Sequence, residues 1–338
     1  MSSSGLFTAV RHTWGMVRAL SLRPFAKQKY NVLIDTTNGC NLRCSFCSRE
    51  SGKVVCMTPG QLDLILGKLD KRISALQLSC AWEYSIAKNS AEIVRTVGRH
   101  GIPWTTIYTN GNILTDEVAA ALIDAQLNDF VVSIGETGKE TYEKLRKGGS
   151  FEKVLANLKM LAELKQARSS RYPRISANLT LVNSNLSELP GFVELARSVG
   201  IENVVGRHLI LNKGLDLSDE TVRDKAAANS IIDAAEEKAR CFGMEFSVPR
   251  YQESPQPKQC RAAWQQLYIS SNGDVSVCPR IHLHAKLGNL LEESRAGILK
   301  GARMKKLKGE FRDGRFENPV CPLCLAGREN EVPIDQGF

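Results

Sequence analysis

The sequence predicts an α/β fold, a parallel sheet flanked by helices, with a small α+β unit after it. Between Asn31 and Leu211 six short apolar runs alternate with segments of helical periodicity, the serial strand–helix pattern of a parallel sheet. The helical segments open on start signals such as Thr58-Pro59 and Thr115-Asp116. Beyond Cys260 the pattern changes to a hairpin and a basic helical stretch, so a second unit begins there.

In chain order, the first element is an amphipathic basic helix. Phe7, Val10, Trp14 and Val17 recur at three- and four-residue steps between Leu6 and Leu22, Arg11 and Arg18 flank them, and the pattern ends near Pro24. Such a helix packs over an exposed edge or lies on an anionic membrane, which makes peripheral membrane contact an expectation for residues 1–30. The expected strands are Asn31–Asp35, Ala75–Cys80, Trp104–Thr109, Asp129–Ile134, Arg174–Val182 and Asn203–Leu211. The helices expected between them are Gln61–Leu69, Ala91–His100, Glu117–Ala125, Lys139–Lys147 with Phe151–Ala167, and Glu188–Val199. A charged helical connector, Asp219–Phe242, and a linker, Tyr251–Lys258, lead to the second unit. There the alternation from Leu267 to Val277 around Asn272-Gly273 predicts a hairpin with both turn residues at positive φ. His282 and His284 read as surface strand residues, and Lys300–Lys308 as a basic helix. The chain thus divides into residues 1–30, 31–212, 213–258 and 259–338.

Composition narrows the function classes. With 338 residues and 43% hydrophobic content the chain is large enough for an enzyme core. It has neither an apolar run long enough for a bilayer nor a secretory cleavage pattern, so a cytoplasmic protein, membrane-peripheral at most, is expected. Its ten cysteines are then thiols or metal ligands rather than disulfides. The net charge of +9 suits an anionic partner, but the basic residues are spread along the chain, which argues for a solvated basic surface and against a nucleic-acid partner. Neither a GxGxxG nor a GxxxxGK[ST] phosphate cradle occurs, which argues against a nucleoside-triphosphate enzyme.

The chemistry begins at Cys40-Asn41-Leu42-Arg43-Cys44-Ser45-Phe46-Cys47, three cysteines in one tight loop after the first strand. Soft thiolates this close together suit iron or zinc better than cross-links. A four-iron cluster takes one thiolate per iron, so three cysteines leave one iron open; a zinc loop with a fourth ligand elsewhere is the alternative. The CxxxCxxC pattern, with Phe46 before the third cysteine, resembles the signature of the radical S-adenosylmethionine (SAM) superfamily. The resemblance implies a partial (β/α)6 TIM-like barrel, a [4Fe–4S] cluster on Cys40, Cys44 and Cys47, and SAM bound to the open iron. It further implies that one electron, from a donor such as flavodoxin or ferredoxin, cleaves SAM to a 5′-deoxyadenosyl radical that removes a hydrogen atom from the substrate.

Reactive groups in a parallel barrel sit at the carboxyl ends of its strands. After the second strand, Ser79-Cys80-Ala81-Trp82-Glu83 stands where the family has Gly-Gly-Glu-Pro; only Glu83 is kept, and the resemblance implies that it accepts from the methionyl ammonium of SAM. Thr109-Asn110-Gly111 resembles the family's "TNG" turn and Ser133-Ile134-Gly135-Glu136 its "SIDG" segment, which implies that Thr109, Asn110 and Ser133 lie at the cofactor. Asn178 on the fifth strand is a further cofactor-binding candidate, with Arg207 and His208 on the sixth facing the cofactor, the substrate or the core.

The second cysteine set is Cys260-x17-Cys278-x42-Cys321-x2-Cys324. Four cysteines converging on a hairpin and a CxxC knuckle are enough to saturate one cluster, and the set resembles the SPASM/twitch-type auxiliary-cluster domain, with a zinc knuckle as the alternative. Among the remaining cysteines, Cys56 reads as a small hydrophobe, while Cys80 and Cys241 are candidate hydrogen donors to a substrate radical. No peptide-recognition domain is expected ahead of the barrel. The expected reaction is therefore oxidation or epimerisation of a small-molecule substrate such as a sugar, nucleotide-linked sugar or lipid-linked metabolite. A peptide- or RNA-modifying enzyme and a non-catalytic iron–sulfur protein are the alternatives.

Overall fold

Short apolar runs between capped helices assemble into one large sheet in the computed structural model, which describes residues 28–47, 52–210, 215–252, 259–328 and 331. The amphipathic helix expected at Leu6–Leu22 lies outside the described residues. In chain order the strands are β1 (Tyr30–Ile34), β2 (Arg43–Cys44), β3 (Ile73–Leu78), β4 (Thr105–Thr109), β5 (Asp129–Val132) and β6 (Arg146–Lys147). They continue as β7 (Arg174–Leu181), β8 (Asn203–His208), β9 (Glu245–Ser247), β10 (Gln266–Ile269), β11 (Asp274–Ser276) and β12 (Gly288–Asn289). Strands β1, β3, β4, β5, β7 and β8 are parallel neighbours in that order and form the partial (β/α)6 TIM-like barrel.

Helices Pro59–Leu69, Ser90–Arg99, Asp116–Asp124, Phe151–Ala167 and Leu189–Ser198 fill the crossovers. Thr58 and Gln61 cap the first of them reciprocally, hydroxyl to backbone and carboxamide to backbone. That helix buries Leu62, Ile65, Leu66 and Leu69, each contributing about 1.5–3 kcal/mol relative to exposure. Thr115 and Ser150 cap two of the others through Val118 N–H at 3.2 Å and Lys153 N–H at 3.3 Å.

An open barrel leaves two edges whose unpaired backbone invites another chain. The last third of the sequence covers both. Strand β10 pairs in parallel with β1, Asn31 opposite Gln266 through Ile34 opposite Ile269, and β9 pairs in parallel with β8. The C-terminal hairpin therefore continues the barrel sheet, ordered β12-β11-β10-β1 at that end.

Several elements differ from the sequence reading for local reasons. Strand β3 stops at Leu78 because Ser79 takes a φ of +62°, so Cys80 lies in the following loop. The segment expected as helix to Lys147 ends at Leu145, and Arg146–Lys147 becomes strand β6. In the hairpin only Gly273 of the Asn-Gly pair has positive φ, at 86°. Ser270 and Asp274 close the turn, with Ser270 N–H donating to Asp274 O at 3.0 Å and Gly273 N–H to Ser270 O at 2.9 Å. His282 follows a single helical turn, Pro279–Ile281, instead of continuing a strand, because Pro279 has no N–H for a ladder. Gly301 divides the basic stretch into helices Arg295–Lys300 and Ala302–Asp313.

Candidate active site

The cysteine loop leaves β1 through the buried Asp35, Thr36 and Thr37. Its far side is stitched to the barrel by β2 and β6, an antiparallel pair that sets Cys44 opposite Arg146. Ser45 N–H adds a bond to Leu145 O at 2.8 Å. On the near side Glu83 N–H donates to Gly39 O at 3.0 Å, and a Cβ at Gly39 would stand 2.6 Å from Ile86 Cδ1, so a larger residue before Cys40 would have to push the Ile86 side chain aside. The loop delivers Cys40, Cys44 and Cys47 to one cavity of about 430 Å³. Their thiols lie within electrostatic reach of one another. Burial raises the Cys40 pKa and pushes that of Cys44 up to about 11, the nearby Arg146 guanidinium opposing the second shift. Asn110 Nδ2 faces Cys40 Sγ at 3.9 Å.

Glu83 is buried beside the loop and bonded almost entirely to its own chain. Its Oε2 accepts from Asn110 N–H at 2.6 Å. Its Oε1 accepts from the Thr109 hydroxyl at 2.8 Å, the Ser85 hydroxyl at 2.6 Å and Ser85 N–H at 3.2 Å. Burial nevertheless holds its pKa above the usual carboxylate range. A carboxylate oxygen has two lone pairs, so Oε2 retains capacity for one further donor. Thr109, Asn110, Ser133, Asn178 and Cys80 line the same cavity as Glu83. Cys241 does not reach it: it is the exposed last residue of the Lys225–Cys241 helix on the barrel exterior, its sulfur 3.9 Å from Glu237.

Two features escaped the sequence reading. Arg146 and Glu136 form a buried ion pair in the wall behind Cys44, with Arg146 Nε 3.2 Å from Glu136 Oε2 and the guanidinium 5.4 Å from the Phe46 ring centroid. Arg146 lines the cavity, and its fixed charge suits the carboxylate of a bound amino acid. The second is Asp35, whose Oδ1 accepts from the successive amides of Cys80, Ala81 and Trp82 at 2.7, 3.0 and 3.4 Å. These bonds hold the loop that carries Glu83 in place without the glycines of the Gly-Gly-Glu-Pro pattern. Sequence spacing gave no sign of either, since both pairs form only on folding.

The outer cavity wall comes from Tyr108, Arg207, His208 and, across from them, Pro279-Arg280 of the C-terminal unit. His208 Nε2 lies 2.8 Å from Pro249 O and its ring stacks on Tyr251 at 3.8 Å, and burial lowers its pKa, which fits a neutral packing residue better than a proton carrier.

The second cysteine set also converges. Cys321 is buried, and its thiol lies within electrostatic reach of those of Cys278, Cys260 and Cys324. Burial pushes Cys278 up to about 11 and Cys321 up to about 12, so both are protonated until a metal displaces the proton. Among the described residues no three His, Cys, Asp or Glu side chains are arranged to hold a single ion. Each set gathers soft sulfur donors within reach of one another, the donor chemistry that an iron–sulfur cluster takes.

Comparison with known proteins decides the family. The radical SAM superfamily model matches residues 34–196, and the model of SPASM, an iron–sulfur cluster-binding domain, matches residues 260–325. The chain belongs to the radical SAM superfamily. As a radical SAM enzyme with a SPASM domain it uses a [4Fe–4S] cluster, an auxiliary cluster and SAM as cofactors. Relatives include the probable GTP 3′,8-cyclase of Methanocaldococcus jannaschii, 29% identical over 180 residues, which is 52% of this chain and 58% of that protein. The sporulation killing factor maturation protein SkfB of Bacillus subtilis is 28% identical over 299 residues, 83% of this chain and 67% of SkfB. The PqqA peptide cyclase of Rhodopseudomonas palustris is 27% identical over 260 residues, 73% of this chain and 66% of the cyclase. The AdoMet-dependent heme synthase of Methanosarcina barkeri is 24% identical over 86% of both chains. The chain thus spans little more than half of the GTP cyclase and about two thirds of SkfB and the PqqA cyclase. For the fold, Streptococcus suis SuiB bound to SAM superposes with a TM-score of 0.69 at 15% identity, covering 97% of this chain and 84% of SuiB.

Proposed function

We propose that this radical SAM enzyme modifies a peptide. The observation that carries the reading is long alignments at the higher identities: SkfB and the PqqA peptide cyclase are 28% and 27% identical over 83% and 73% of the chain, whereas the GTP cyclase is matched over 52% and the heme synthase, matched over 86%, is 24% identical. The small-molecule substrate expected from the sequence becomes the second reading, favoured by the match to the heme synthase over 86% of both chains at the lower identity of 24%.

In this reading Cys40, Cys44 and Cys47 hold the SAM-cleaving cluster, and Cys260, Cys278, Cys321 and Cys324 hold the auxiliary cluster. Glu83 keeps the Thr109–Asn110 turn in place and offers its remaining Oε2 lone pair to the SAM ammonium. Arg146 offers its guanidinium to the SAM carboxylate, while Glu136 holds that guanidinium in place. Clusters and SAM together supply one-electron chemistry capable of removing hydrogen from an unactivated carbon. The barrel excludes water around that carbon. Net oxidation follows if the auxiliary cluster takes an electron, and Cys80, in the cavity wall, is the candidate hydrogen donor for an epimerising outcome.

The test is anaerobic turnover with SAM, dithionite and deuterated peptides encoded beside the gene. Deuterium appearing in 5′-deoxyadenosine supports a peptide substrate. Deuterium arriving only from sugars, nucleotides or tetrapyrroles overturns it.

A further inference from the structure

Asn318 stands three residues before Cys321 and is 6% exposed. Its Oδ1 accepts from Cys321 N–H at 2.8 Å, which fixes the amide orientation, because a flipped carboxamide would set two donors face to face. The Nδ2 group therefore points away from that bond. It is buried and has no hydrogen-bond partner within the chain. An unsatisfied buried donor costs about 1–3 kcal/mol, so such a group needs an explanation. The side chain is in reach of the Cys321 sulfur, short of a formed hydrogen bond. Cys278, by contrast, takes its hydrogen bond from the Arg280 backbone N–H, a donor any residue but proline would supply.

We propose that Asn318 is a positioning residue for the auxiliary cluster, its Nδ2 donating to the Cys321 sulfur and raising the cluster's reduction potential. The inference rests on the reading that Cys260, Cys278, Cys321 and Cys324 hold that cluster. A donor to a cluster sulfur stabilises the more negative, reduced state. Asn318 would then make the auxiliary cluster a better electron acceptor, the property an oxidative outcome needs.

Asn318→Ser keeps a short oxygen acceptor for Cys321 N–H and removes the amide donor. With the reconstituted full chain, an EPR-monitored redox titration is expected to show the auxiliary midpoint shifted negative. A tenfold change in the reduction equilibrium corresponds to about 59 mV for one electron. The SAM-cleaving cluster's midpoint should stay unchanged. If the variant loses auxiliary iron, a second measurement on wild-type protein decides: side-chain-amide ¹⁵N-asparagine labelling should produce a nitrogen coupling to the reduced auxiliary cluster. An unshifted auxiliary midpoint, or no such coupling, overturns the proposal. Iron counts after Cys260, Cys278, Cys321 and Cys324 are all changed to alanine separate the two levels: about eight irons retained would refute the ligand assignment itself, whereas an Asn318→Ser variant with an unshifted midpoint refutes only the role of Asn318.

Discussion

The Tyr268 hydroxyl donates to Asp35 Oδ2 at 2.8 Å, joining residues 233 positions apart in the chain. The other oxygen of that carboxylate gathers the amides of Cys80, Ala81 and Trp82, so a hydroxyl on the C-terminal hairpin supports the loop that carries Glu83. Tyr268 also meets the ring of His282 edge-on, at 5.3 Å between centroids, four residues beyond Cys278. The two cysteine units are thus physically linked through β10 and β1.

Removing that hydroxyl should loosen the Glu83 loop without touching a cluster ligand. Tyr268→Phe deprives a buried carboxylate of one donor, a loss of about 1–3 kcal/mol. The expected outcome is SAM affinity weakened by up to about tenfold, 1.4 kcal/mol, with unchanged iron content, measured by anaerobic calorimetry.

Glu83 sets a pH dependence whose sign follows from its raised pKa. Only the carboxylate attracts an ammonium ion, so SAM affinity should fall as pH is lowered through a range above that of an ordinary glutamate. Folding stability runs the opposite way: the folded state holds this proton more tightly than the unfolded chain, so the group's contribution is greatest at low pH and is lost as pH rises toward the raised value. Glu83→Gln should weaken SAM binding and flatten its pH profile, read from affinities at several pH values.

The Arg146–Glu136 pair separates structure from binding. Arg146→Met leaves Glu136 buried without its counter-ion, and Glu136 Oε1 already has no hydrogen-bond partner within the chain. A loss of about 3–5 kcal/mol is expected in denaturant unfolding. The double variant Arg146→Met, Glu136→Gln should recover most of that stability and none of the SAM affinity.

Cys241 is exposed and remote from the cavity, so Cys241→Ala should change stability by no more than about 0.5 kcal/mol and leave 5′-deoxyadenosine formation unchanged. Cys80→Ala should retain both clusters and SAM cleavage while changing the product if its thiol returns hydrogen, as mass spectrometry would report.

What was legible in the sequence was what recurs locally. The six barrel strands follow from apolar runs between capped helices, and the helices expected from Gln61 and Glu117 begin two residues and one residue earlier, at Pro59 and Asp116, directly after their caps Thr58 and Thr115. The cysteine loop stood out by the spacing of its thiols and Glu83 by its resemblance to the family's Gly-Gly-Glu-Pro segment, and both line one cavity. Long-range pairings were not. Nothing near Arg146 signals that its backbone will pair with Cys44, nor does anything near Tyr268 point to Asp35. The hairpin was expected from its alternation, but its place beside β1 depends on an open barrel edge that exists only after folding. Cys241 misled because a lone cysteine carries no positional information.

The central claim is that seven named cysteines hold two clusters, and iron and sulfide per chain after anaerobic reconstitution test it most directly. Wild-type protein should hold about eight irons, with about four left when Cys40, Cys44 and Cys47 are all changed to alanine and about four when Cys260, Cys278, Cys321 and Cys324 are. Fewer than about six irons in the wild type, or an undiminished count in either variant, would contradict it.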